Sequence, residues 1–97
     1  MDNPIIEHAY TTMKPGGGEV YVAMFPTLRD IMLSLPGAIS ARLLRDQKSP
    51  ERFVCRWEWE SKAAKDVFAA DPRLKPWADE FWKWVESETI DYFDHVG

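Results

Sequence analysis

Residues 52–60 read RFVCRWEWE, large apolar residues alternating with charged ones. A period of two belongs to a strand, because successive side chains point to opposite faces. Phe53, Cys55, Trp57 and Trp59 therefore share one face, and Val54, Arg56, Glu58 and Glu60 share the other. The next residues, S-KAAKDVFAA, carry Ser61 as a helix N-cap and turn the chain back over the first face. The rings are then placed to floor a pocket beneath a helix, and the charges to meet solvent or a partner.

On the N-terminal side, ISARLLR at 39–45 reads as the preceding strand, joined by the polar turn DQKSPE. Before it, residues 19–35 repeat Val20, Met24, Leu28, Ile31 and Leu35 at helical spacing. Pro26 sits inside that helix and is expected to kink or divide it. KPGGGE at 14–19 breaks this helix from a β-branched and aromatic strand at 5–13, IIEHAYTTM. The glycine run has neither the GxxxxGK[ST] nor the GxGxxG order, so it reads as a turn rather than a phosphate loop.

On the C-terminal side, Asp71-Pro72 ends one helix and starts another, with Asp71 as the expected N-cap. Residues 73–88 place Leu74, Trp77, Phe81 and Val85 on one stripe, flanked by Trp82 and Trp84. TIDYFDHV at 89–96 closes the chain as a fourth strand. The order β-α-β-β-α-β, its second helical region broken in two, is the ferredoxin-like α+β arrangement. It predicts a four-stranded antiparallel sheet with helices on one face. The other face mixes Val54 with Arg56 and Glu58, a pattern suited either to solvent or to a second copy across a two-fold axis.

Composition sets the bounds. The 97 residues carry a formal net charge of −4, which fits one domain spanning 1–97. Hydrophobic residues make up 45%, enough for a core. Aromatics reach 13%, and the five Trp among the 97 residues exceed what packing alone asks. The acidic balance argues against nucleic acid. No apolar run approaches the roughly 20 residues of a membrane span. The opening MDNPII lacks the basic and apolar segments of a signal peptide, and the single Cys55 makes no internal disulfide, so a cytoplasmic protein is expected.

KPGGGE, LPGAISARLLRD and SPERFVCRWEWESKAAKDVFAADPRLKPW together resemble the antibiotic biosynthesis monooxygenase-like domain of the dimeric α/β-barrel superfamily. The likeness runs from about residue 5 to 93. It rests on the K-P-G turn, the P-G before the second strand, W-E-S at Trp59, Glu60 and Ser61, and the helix with F-x-x-D-P. The resemblance implies a homodimer whose two sheets face each other, and a pocket in each subunit between sheet and helices. It also implies one of several activities. Some members oxidise quinols or anthrone-like rings with O2 and no cofactor. Others break down haem or act in quinone turnover. The haem-degrading pattern places an Asn near His8 or Ala9, a Trp at Phe68 and an iron-ligating His at Ala78; none of the three matches, which argues against haem.

Cofactor-free oxidation needs a group that deprotonates a phenolic or hydroaromatic ring, donors that hold the anion, and a dry pocket. Trp59 is the first candidate, with an N–H to donate and a ring to stack; the alternative is a Trp that packs the core. His8 is a candidate base, because imidazole titrates near neutrality; the alternative is a structural His. Arg42 is suited to hold an enolate or phenolate, or else to pair with Glu7 or Glu58 across the barrel. Tyr10, Trp57, Phe68, Trp77 and Trp82 are candidate pocket residues, with core packing the alternative for Trp77, a partner contact for Trp82 and a sheet-edge position for Tyr10. Cys55, among apolar neighbours, is expected to be inert. His8 and His95 stand far apart with no Cys/His cluster, so no metal is expected. Three functions follow: a cofactor-independent monooxygenase acting on a small aromatic ligand, a binding or structural homodimer without catalysis, or, least favoured, a haem-binding or haem-degrading protein.

Overall fold

The computed structural model describes residues 4–97. In chain order it holds strand β1 (Ile5–Met13), helix α1 (Gly17–Leu33), strands β2 (Ala38–Arg45) and β3 (Arg52–Trp59), helices α2 (Lys62–Ala69) and α3 (Leu74–Trp82), and strand β4 (Val85–Phe93). The strands form one antiparallel sheet in the order β2-β3-β1-β4. This is the ferredoxin-like arrangement, with the second helical region in two pieces. Among the described residues no helix is long and apolar enough to cross a membrane.

The alternation in β3 orients the sheet. Phe53, Cys55, Trp57 and Trp59 are all buried, while Arg56 is exposed. Register carries this parity to the neighbouring strands. Trp57 lies opposite Glu7 of β1 and Ala41 of β2, and Cys55 lies opposite Ala9 and Leu43. Small residues at Ala38 and Ala41 flank the two indoles, so the rings fit without displacing β2. Leu28, Ile31 and Met32 of α1 and Phe68 of α2 close over Ala9, Ala41, Cys55, Trp57 and Trp59. Tyr21 and Phe81 close over Met13 and Phe53.

Helix α1 differs from expectation in two ways. It runs unbroken through Pro26. The proline removes only the bond to the Val22 carbonyl, and both residues are exposed, so water replaces the missing donor. Its buried stripe is also rotated: Tyr21 and Met32 are fully covered, whereas Val20, Met24 and Leu35 are only partly so.

The glycine-rich turn is held by a side chain from the β2–β3 connection. Gly16 N and Gly18 N donate to the two carboxylate oxygens of Glu51 at 3.1 and 2.6 Å. Glu51 thereby satisfies the free N–H groups at the start of α1 and complements its positive end. Gly37 makes the turn before β2 at φ +86, and its carbonyl accepts the Glu60 N–H at 2.8 Å. Ser61 caps α2 as expected, accepting from Ala64 N at 3.1 Å.

Two boundaries need correction. Asp71 does not cap α3; it accepts the Arg73 N–H at 2.9 Å and fixes the turn leading into that helix. The larger correction is the end of α3. Residues 85–88, expected as helix, belong to β4, and residues 94–96 lie beyond it. Leu74, Trp77 and Phe81 keep the helical stripe, but Val85 pairs with Met13 in the sheet. The switch occurs where Trp84 N bonds Phe81 O at 3.0 Å in a tight turn and Trp84 O accepts Lys14 N at 2.7 Å. From there sheet bonds to β1 replace helical ones.

Candidate functional site

Sheet and helices do not close completely over the indoles. They leave a cavity of about 380 Å³, in the range that holds small ligands. Its floor is Trp57 and Trp59 of β3, Glu7 and Ala9 of β1, and Glu88, Ile90 and Tyr92 of β4. Its roof combines Tyr21 and Leu28 of α1, Lys65 and Phe68 of α2, and Trp77, Ala78, Phe81 and Trp82 of α3.

The walls are ring surfaces. Trp57 and Trp59 stack with centroids 5.5 Å apart, and Phe68 lies 5.3 and 5.7 Å from them. Trp77 stacks on Phe81 at 4.8 Å. Trp82, half exposed, meets Phe81 edge-on at 5.3 Å. Flat aromatic molecules stack favourably on such surfaces.

The polar groups are few. Trp77 Nε1 donates to the Met24 carbonyl at 2.9 Å. Trp59 is 2% exposed, and its Nε1 has no acceptor among the described residues. A buried donor left unmet costs about 1–3 kcal/mol. Glu7 is buried on the floor, and burial raises its carboxyl pKa above the usual range. Lys65 and a hydrogen bond from Tyr92 oppose that shift, and Glu88 adds to it. Burial also raises Glu88, against a bond from Thr11 Oγ1 at 3.0 Å. The Lys65 ammonium lies 4.9 Å from the Tyr92 ring centroid. Burial pushes the Cys55 thiol up to about 12, so it stays protonated.

Five of the sequence-derived candidates, Trp57, Trp59, Phe68, Trp77 and Trp82, line this one cavity. His8, Arg42 and Tyr10 do not join them. His8 and Arg42 both lie opposite Arg56, and Tyr10 lies opposite Val54, so strand parity sends all three to the sheet face away from the helices. There His8 Nδ1 sits 3.1 Å from the Tyr10 hydroxyl, and its ring 4.8 Å from Phe93. Tyr10 is not at a sheet edge, because β1 is an inner strand. Arg42 cannot pair with Glu7 within the chain, since they occupy opposite faces, and Glu58 lies 3.2 Å from His95. Ala78, where haem-degrading relatives are expected to carry an iron ligand, offers the cavity only a methyl group.

Glu7, Glu88 and Lys65 escaped the sequence reading. Glu7 lies on the inner face with Ala9, Thr11 and Met13 because it pairs with Trp57, a register that the alternation within β1 does not declare by itself. Glu88 was hidden by its assignment to a helix.

Fold and cavity define a ferredoxin-like α+β domain with an aromatic-lined cavity between sheet and helices. The family model described as antibiotic biosynthesis monooxygenase matches residues 4–80. The chain belongs to that family. Among curated proteins none matches the sequence. Solved structures match the fold across nearly the whole chain. A mutant of SnoaB, a cofactor-independent oxygenase from Streptomyces nogalater, superposes with a TM-score of 0.89 at 17% identity, covering 98% of this chain and 95% of that one. A protein from Pseudomonas aeruginosa gives 0.88 at 18% identity, covering 100% and 98%. A protein from Shewanella oneidensis gives 0.86 at 20% identity, covering 98% and 93%.

Proposed function

We propose that this protein is a cofactor-independent monooxygenase that oxidises a small, flat, electron-rich compound, quinol or polyketide-like, with O2. The observation that carries the reading is a ring-lined cavity of about 380 Å³ with Trp59, whose buried N–H has no acceptor among the described residues, in its wall. Stacking holds a planar substrate, and the indole N–H donates to an oxygen on which negative charge develops. Such an anion reacts with O2 directly. Trp57, Phe68, Trp77 and Trp82 form the ring surfaces against it. Membership of the family and the fold of SnoaB agree with this reading.

The same proposal places the protein in a homodimer, with the helix-free sheet face as its interface. That face exposes Tyr10, Leu44 and Phe93 around a cross-strand row of Arg42, Arg56, His8 and Asp91. Charges of both signs in one row let a copy turned by 180° set opposite signs together. His8, Tyr10 and Arg42 then act in assembly rather than in chemistry. Sedimentation at micromolar concentration is expected to show a dimer.

The test of activity is O2 uptake with a panel of anthrones and hydroquinones. Uptake above the blank that scales with protein supports the oxygenase. Saturable binding without uptake supports a non-catalytic binding protein instead. A purely structural dimer is disfavoured, since its own side chains leave the cavity open.

A further inference from the structure

The cavity holds a buried acid, Glu7, that the ring stacking does not use. Glu7 lies directly across from Trp57 in the β1–β3 register, and diagonally from Trp59. It is 9% exposed and lines the same cavity as Trp59, whose buried N–H has no acceptor among the described residues. Lys65 from α2 and Tyr92 from β4 face it, and Glu88 stands on the same floor beyond the Ala9–Ile90 rung. No ion pair within 4.0 Å neutralises Glu7 among the described residues. A buried acid without a salt-bridge partner is costly to fold around, and such groups gather where a reaction uses them.

We propose that Glu7 is the general base of this cavity, taking the proton whose loss makes the substrate reactive toward O2, while the Trp59 N–H holds the resulting anion. The assignment rests on the oxygenase reading of the same cavity. A donor without an acceptor and an acid without a close ion pair, among the described residues, fit two ends of one ligand, an oxygen that gains charge and an acidic C–H or O–H. For an anthrone-type carbon acid, the C–H bond breaks and its electron pair stays on the ring system as an enolate. The proton forms an O–H bond on Glu7. The carbanion carbon then bonds one end of O2, and the Glu7 proton passes to the peroxide so formed. Loss of water leaves a carbonyl carrying one oxygen atom of O2. The other atom departs in that water with both hydrogens of the reacting carbon. Burial raises the affinity of Glu7 for a proton, which strengthens it as a base wherever it is ionised. The Lys65 ammonium favours that ionised form.

Deuterium exchange separates proton removal from oxidation. Anthrone in D2O under nitrogen, followed by NMR, is expected to exchange its benzylic hydrogens faster with the protein than in buffer. Glu7→Gln keeps the size and polarity of the side chain but cannot take the proton, and is expected to slow the catalysed exchange by about 100-fold or more. Glu7→Asp, a shorter base, is expected to retain part of it. Near-UV circular dichroism checks that each variant is folded. Protein-catalysed exchange lost in Glu7→Gln and partly kept in Glu7→Asp supports the base. Exchange no faster than buffer with the unaltered protein overturns it, as does exchange undiminished in Glu7→Gln. O2 uptake in air is read in parallel. Exchange without uptake sinks the oxygenase and leaves the base standing; uptake that persists in Glu7→Gln sinks the base and leaves the oxygenase.

Discussion

The indole planes of Trp57 and Trp59 lie 12° from parallel, with their centroids 5.5 Å apart. Two residues apart on one strand, they necessarily share a face; Ala38 and Ala41 across the β2–β3 ladder leave them room to lie together. The stack gives the cavity a flat floor. Within it the Trp59 N–H has no acceptor among the described residues. One stack thus holds both a ring surface and an unmet donor.

Trp59→Phe tests that donor. The substitution keeps an aromatic ring and removes the buried N–H. Relief of an unmet donor, about 1–3 kcal/mol, offsets most of the loss of packed surface. The expected net change in unfolding free energy is within about 1.5 kcal/mol. Oxidation of a responsive anthrone is expected to fall roughly tenfold or more, the worth of one hydrogen bond to a charged oxygen. Urea titration and O2 uptake measured on the same preparation check the two halves. A large loss of stability with unchanged turnover would assign Trp59 to packing alone.

Gly37→Ala tests the turn that sets β2 against α2. A β-carbon at Gly37 would stand 2.6 Å from the Ala64 β-carbon, at a backbone φ of +86. Both the contact and the left-handed conformation oppose a side chain, and together they are expected to cost about 2 kcal/mol or more. Adding Ala64→Gly removes the contact but not the backbone penalty. Partial recovery of the denaturation midpoint in the double variant is the expected signature. Full recovery would show that φ carries no cost.

Glu51→Ala tests the carboxylate that holds the glycine-rich turn. It removes the acceptor for Gly16 N and Gly18 N at the start of α1. Loss of a helix cap of this kind is expected to lower stability by about 1–2 kcal/mol. Chemical denaturation reads it. No change would mean that water replaces the carboxylate without penalty.

The fold was legible because the strongest signals were periodic. RFVCRWEWE fixed the inward face of β3, and the bounds of β1 follow from its β-branched and aromatic run. The end of α3 was not legible. Trp77, Phe81 and Val85 are spaced four residues apart, and nothing local marks that Val85 bonds to β1 instead of continuing the helix. Site residues were legible in proportion to strand parity. The aromatic candidates on β3 fell on the cavity because their own alternation declares it. The face of His8 and Tyr10 is not legible from β1 alone, because β1 carries Ile6 and Ala9 buried on opposite faces, so neither parity is the plainly apolar one. Only pairing with β3 decides between them, and that pairing puts Glu7 inside.

The acidity of the cavity predicts how stability varies with pH. Burial raises the folded-state pKa of Glu7 and of Glu88 above the ordinary value of 4.5. A raised acid binds its proton more tightly when folded, so its contribution is fully present below pH 4.5 and is lost as pH rises through the folded value. Asp71 runs the other way: the Arg73 guanidinium lowers it to about 2, and its contribution is lost as pH falls from 3.8 toward 2. Stability is therefore expected to fall on the acid side through Asp71 and to decline again above pH 4.5 through the two glutamates. Glu7→Gln carries no charge to bury. It is expected to unfold at higher urea than the unaltered protein at about pH 8, with the difference shrinking toward about pH 4. For a buried carboxyl, a tenfold difference in proton affinity between the folded and unfolded chain is worth about 1.4 kcal/mol, so even a smaller difference moves the midpoint measurably. A variant that is less stable at the higher pH would show that the ionised carboxylate holds the cavity together rather than straining it. A variant more stable yet inactive in proton exchange would show that the protein gives up stability to keep a base beneath its stacked tryptophans.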